Sequence, residues 1–144
     1  MGLIETRLDA WPLVISVASG LSSLDQHVAY LEEWRNWFLR DERFAVLRIF
    51  EDEEALVHPD GSAQATKAWL RSGIADAIRQ RVTAMVNVVP PVAYPRFAPM
   101  SIERTFGVPG LITADRNEAC QWLAHNDTLG VEWSKVEKIC DAWH

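Results

Sequence analysis

RFAVLRIFEDEEALVHPDGS, residues 43–62, is the stretch whose reading decides the fold. Phe44 to Phe50 is an apolar run rich in strand-forming residues and too short for an ordinary helix, which makes it a buried strand. It stops in acid at Glu51, Asp52, Glu53 and Glu54. A loop with His58, Pro59, Asp60 and Gly61 then leads to Ser62, where a helix is predicted to begin.

Working outward, residues 12–18 (PLVISVA) form a second apolar strand with Pro12 at its tolerated first position, preceded by a short edge strand near residues 4–8. Ser23 followed by Gln26 is a capping-box pattern, and Val28, Leu31, Trp34 and Phe38 recur at helical spacing, so residues 24–40 are a helix. Beyond the acidic loop, residues 62–80 read as one further helix with an apolar stripe through Leu70, Ile74 and Ile78. Residues 82–89 (VTAMVNVV) are nearly all apolar, as expected of a strand covered on both faces by helices and flanked by parallel neighbours. Prolines punctuate residues 90–99, and a short helix is predicted to end at Gly107. A short strand at residues 110–114 precedes a helix capped by Asp115 and ending near Asn126. Val136, Ile139, Cys140 and Trp143 mark a final amphipathic helix within residues 128–144.

Strands alternating with helices give an α/β fold: a single, mostly parallel sheet of four or five strands flanked by helices, with an added C-terminal helix. At 144 residues the chain fits one domain, 1–144, able to bury roughly 70% of its unfolded surface. No apolar run approaches the ~18 residues that span a bilayer, and the N-terminus lacks a signal-peptide core, so a cytoplasmic location is expected. The net charge of −6 opposes broad attraction to nucleic acid. Cys120 and Cys140 fit neither a redox pair nor a zinc site and read as core residues.

With the order of elements laid out, residues 4–125 resemble the STAS, or SpoIIAA-like, anti-sigma-factor antagonist family. The strand RFAVLRIF and the helix NEACQWLAH carry that likeness, and the last helix lies outside it. The resemblance implies a non-enzymatic domain acting through a protein partner, with Ser62 as the phosphorylatable serine. The chain departs from the family pattern by placing EDEEALVHP between the strand and that serine.

Among candidate residues, contiguous carboxylates on an extended chain alternate in direction and cannot converge on one cation, so no metal site is expected. There is no nucleophile elbow, GxGxxG or phosphate-binding loop, so no catalytic residue and no cofactor is assigned. A crevice at the carboxyl ends of the strands would be formed near Ser19, Asp52, His58, Tyr94, Arg96 and Asp115. Seven tryptophans are many for this length, and Trp37 and Trp69 are the two expected on an outer face, as an association surface; the alternative is core packing against the C-terminal helix. Two functions follow: a regulatory or scaffold domain that contacts a protein partner or a second copy of itself, or a small-molecule binding protein or enzyme using the strand-end crevice.

Overall fold

Five short strands, the four after the first strand largely apolar, pair into one sheet in the order in which they occur in the chain. The computed structural model describes residues 2–141; Trp143 and His144 lie outside the described residues, as do the side chains of Ile139 and Cys140. The elements are β1 (Leu3–Arg7), β2 (Leu13–Ser19), α1 (Leu24–Phe38), β3 (Phe44–Phe50), α2 (Ser62–Trp69), α3 (Ala75–Arg81), β4 (Val82–Val88), α4 (Tyr94–Phe97), α5 (Ile102–Phe106), β5 (Gly110–Thr113), α6 (Arg116–His125) and α7 (Trp133–Asp141). β1 is antiparallel to β2, and all other neighbours are parallel. The fold is therefore α/β, with a mostly parallel five-stranded sheet.

Side chains alternate across each strand, so the sheet divides two cores between its faces. On one face Val14, Val46 and Met85 meet Trp34 and Trp37 of α1, Trp69 of α2, Ile78 of α3 and Ile102 of α5. On the other, Ile15, Leu47 and Val86 meet Ala119 and Leu123 of α6 and Val136 of α7. The C-terminal helix thus completes the second layer. It is docked by Asp127, whose carboxylate accepts hydrogen bonds from the Leu129 and Val131 amides at 2.7 and 2.9 Å and from the Trp133 indole at 3.1 Å.

The local signals in the sequence place most boundaries. Ser23 and Gln26 form the reciprocal capping box of α1. Asp115 caps α6, and Gly107 ends α5 in the left-handed conformation at φ 75°. The long helix expected over residues 62–80 is broken. Gly73 takes φ 103°, open mainly to glycine, and a π turn at Leu70–Ile74 separates α2 from α3.

Trp37 and Trp69 are not an outer surface. They are 2% and 7% exposed, on the sheet face opposite α7, so neither the association patch nor packing on the C-terminal helix holds. The buried stripe of α1 runs through Leu31, Trp34 and Trp37, leaving Val28 exposed. Phe44 fixes that rotation: its ring lies within 6.4 Å of Trp11, Trp34, Trp37 and Phe38, centroid to centroid. The Trp69 indole donates to the Leu31 carbonyl at 3.0 Å and joins α2 to α1.

Phe44→Ala removes the ring shared by four aromatic neighbours, and a loss of about 3–5 kcal/mol is expected, read as a lower urea midpoint with an unchanged slope. A loss below about 1 kcal/mol would show that the cluster collapses without it.

Candidate functional site

A strand buried on both faces is expected to be apolar throughout. Three strands break that rule at one level. Ser16 of β2, Arg48 of β3 and Asn87 of β4 are successive cross-strand partners. They alternate with Ile15, Leu47 and Val86 of the α6 side, which turns all three toward the face carrying α1 and α2. The Ser16 hydroxyl is paired with the Tyr30 hydroxyl at 3.1 Å. Arg48 makes no ion pair among the described residues, and its guanidinium carbon stands 5.5 Å from the Phe50 ring centroid. Among the described residues, the buried side-chain atoms with no hydrogen-bond partner are Arg48 Nε, Asn87 Oδ1 and Trp34 Nε1.

All three of those residues line one cavity of about 490 Å³ between the sheet and the α1–α2 layer. Its walls are largely apolar, with Leu31, Trp69, Phe97, Phe106 and Ile112 among them. The exposed lining residues Leu3, Val57, His58 and Lys67 mark the mouth, at the carboxyl ends of β2 and β3. The lining contains the cations Arg48 and Lys67, the histidines His27 and His58, and no carboxylate. This is a local reversal of sign in a chain whose net charge is −6.

The helix side is built by the first turns of α1 and α2. His27 and Tyr30 stand on the same stripe as Leu31 and Trp34, three or four residues apart, and so face the sheet. His27 Nε2 and Thr66 Oγ1 are hydrogen-bonded at 2.9 Å. Burial, and then the charges of His58 and Arg48, push the His27 pKa below its ordinary 6.5, against an opposing hydrogen bond to the Ser62 main chain. The imidazole is accordingly neutral at pH 7 and Arg48 is the deep charge.

Of the residues singled out in the sequence, His58, Ser62 and Trp69 line this cavity, and Ser19, Trp37, Asp52, Tyr94, Arg96 and Asp115 do not. The cavity thus shares only His58 with the expected crevice. Asp52 is a structural clamp: both its oxygens accept from the Gly20 amide at 3.0 Å, and one accepts from the Ala55 amide at 2.9 Å, tying the ends of β2 and β3 together. Its acidic neighbours go to separate partners past the end of the strand, Glu51 to Arg116 at 3.4 Å and Glu53 to Arg96 at 3.5 Å. Asp115 is committed to the α6 amides of Asn117 and Glu118. Tyr94 belongs to the short α4 and is partly exposed. Ser62 is 2% exposed and follows the true N-cap, Gly61 at φ 86°, so it is neither a cap nor a hydroxyl presented to a kinase. Among the described residues no group of His, Cys, Asp and Glu is placed to hold a metal ion, and no helix is long and apolar enough to cross a membrane.

The sequence assigned none of Ser16, His27, Tyr30, Arg48 and Asn87 to a site, and His27 has no partner there at metal-ligand spacing. Each was legible as a polar or polar-tipped residue in phase with a buried face. Compared with known proteins, the chain matches no family model, no curated protein and no solved structure.

The lowered His27 pKa has a signed consequence for stability. Below pH 6.5 the unfolded chain takes up a proton that folded His27 resists, so stability falls as pH drops from 6.5 toward the folded value, and is unaffected by this group above 6.5. The urea midpoint of His27→Gln, compared with wild type across that window, is expected to fall less steeply. Parallel curves would mean that His27 titrates as in the unfolded chain.

Proposed function

We propose that this chain is a small-molecule binding protein whose site is the cavity between the sheet and the α1–α2 layer. One observation carries the reading. The buried polar atoms without partners, on Trp34, Arg48 and Asn87, all belong to residues lining a single, largely apolar space of about 490 Å³. Cavities of roughly 300–1,000 Å³ with apolar walls and a few convergent polar groups are the usual form of ligand sites. A buried donor or acceptor left unmatched costs about 1–3 kcal/mol, and the three residues that carry one all border this space.

Binding reports on itself here, because the indoles of Trp34 and Trp69 line the space. Titration with decanol and naphthol is expected to change tryptophan fluorescence saturably. Ala18→Phe, which fills the space from β2, is expected to abolish that change while unfolding cooperatively as wild type does. A variant that folds and still binds as wild type does would place the ligand elsewhere.

A second reading, contact with a protein partner or another copy as the SpoIIAA-like likeness implies, has one feature in its favour. Leu3, Leu21, Leu24, Val28 and Val57 are large apolar side chains left exposed, and Leu3 and Val57 lie at the cavity mouth. Concentration-dependent sedimentation that Leu3→Glu with Val57→Glu abolishes is its expected signature; a strict monomer removes the self-association form.

A further inference from the structure

The polar groups of the cavity select a charge as well as a shape. We propose that its ligand is an organic monoanion, a carboxylate on an apolar body, with the carboxylate seated on Arg48 in the row Ser16–Arg48–Asn87 and the body lying along Trp34, Trp69 and Phe50. This rests on the cavity being a ligand site and adds the class of molecule it takes.

Three independent features converge on that class. The first is sign: no carboxylate lines the cavity, and Arg48 has no ion-pair partner among the described residues. A partly buried guanidinium without a counter-charge is unfavourable, and the contact with the Phe50 ring at 5.5 Å offsets only part of it. The second is donor geometry. Arg48 brings a planar guanidinium to the cavity lining, and its Nε makes no hydrogen bond within the protein. A carboxylate has two oxygens that match a guanidinium in its plane. The Asn87 amide, next to Arg48 across the sheet, can turn to present its NH₂ to the same oxygens or its oxygen to a hydroxyl of the ligand.

The third is the count of charges. His27 is neutral, and His58 and Lys67 are exposed at the mouth, so one deep positive charge is offered. A monoanion neutralises it, whereas a phosphate dianion would leave a second charge desolvated among the aromatic walls. The rest of the volume, walled by Leu31, Trp69, Phe97, Phe106 and Ile112, suits an alkyl or aromatic body.

The test uses matched ligands on the intact protein at neutral pH: decanoate and naphthoate, decanol and naphthol, and decyltrimethylammonium, each titrated calorimetrically. Wild type is expected to bind the carboxylates at least about tenfold more tightly than the matching alcohols, and the cation not at all. Arg48→Met keeps the stem length and removes the charge; it is expected to lose the preference, with each carboxylate and its matching alcohol binding within about twofold of one another. Arg48→Lys, which keeps the charge and loses the fork, is expected to retain part of the preference and covers the case in which Arg48→Met does not fold. Alcohols that bind as tightly as carboxylates in wild type overturn the anion assignment and leave the cavity as a site for neutral molecules. A preference that survives in Arg48→Met also overturns it, by placing the carboxylate away from Arg48. If neither carboxylates nor alcohols bind, the cavity is not a ligand site and both conclusions fall.

Discussion

Packing of large aromatic rings against the start of β3 sets the spacing between the sheet and the α1–α2 layer, and the remainder of that side of the molecule follows from it. Phe44 lies under Trp11, Trp34, Trp37 and Phe38, and Trp34 meets Trp69 at 5.6 Å between ring centroids. Rings of this size hold a helix away from the strands by a distance that smaller side chains cannot bridge. Toward the carboxyl ends of the strands the facing residues shrink to Ser16, Ala18, Ser62, Ala63 and Thr66, all of which line the cavity. Rigid rings at one end and small side chains at the other leave a wedge between the layers. Close packing elsewhere in the core makes such a space a property of the sequence, since side chains large enough to fill it occur freely in this chain.

The strand order explains why the wedge is asymmetric. With β2 to β5 in sequential order, α1, α2, α3 and α5 all lie on one face, and α6 and α7 close the other. There is no point where the order reverses, which is where open α/β sheets usually form a ligand crevice outside the strand ends. The cavity described above lies instead within a layer, under α1.

Much of the fold was legible because its signals are local. The apolar runs, the capping box at Ser23 and Gln26, the Asp115 cap and the glycine stop at Gly107 each act within a few residues, and each stands where the sequence placed it. The burial of Trp37 and Trp69 was not legible, because the rotation of α1 depends on Phe44, a partner from the next strand. The helix break was hidden because glycine tolerates a helix interior, and only the path back to the sheet brings Gly73 to φ 103°. The site was missed for a different reason. The conspicuous charges lie outside it: Glu51 and Glu53 are taken up in separate ion pairs and Asp52 in a clamp. The informative residues were single interruptions: Ser16, Arg48 and Asn87 in strands that are otherwise apolar, and His27 and Tyr30 in phase with Leu31 and Trp34. One polar residue per strand carries little weight in a one-dimensional pattern. It becomes a row only when the register aligns the three strands.

That row runs against the chain's own stability, and the imbalance bears on how the protein works. Replacing Arg48 and Asn87 by apolar residues of similar size would remove an uncompensated charge and an unmatched amide from the helix-covered face. Each unmatched buried polar atom costs about 1–3 kcal/mol of the roughly 5–15 kcal/mol that holds a domain together, and removing the Arg48 charge from its partnerless state would return part of that. A ligand that binds only the folded chain returns it by mass action, stabilising the native state as its concentration exceeds its dissociation constant. On the proposed reading the polar row and the wedge are two halves of one device: the aromatic cluster keeps the space open, and a bound anion offsets the charge that the fold leaves without a partner at Arg48.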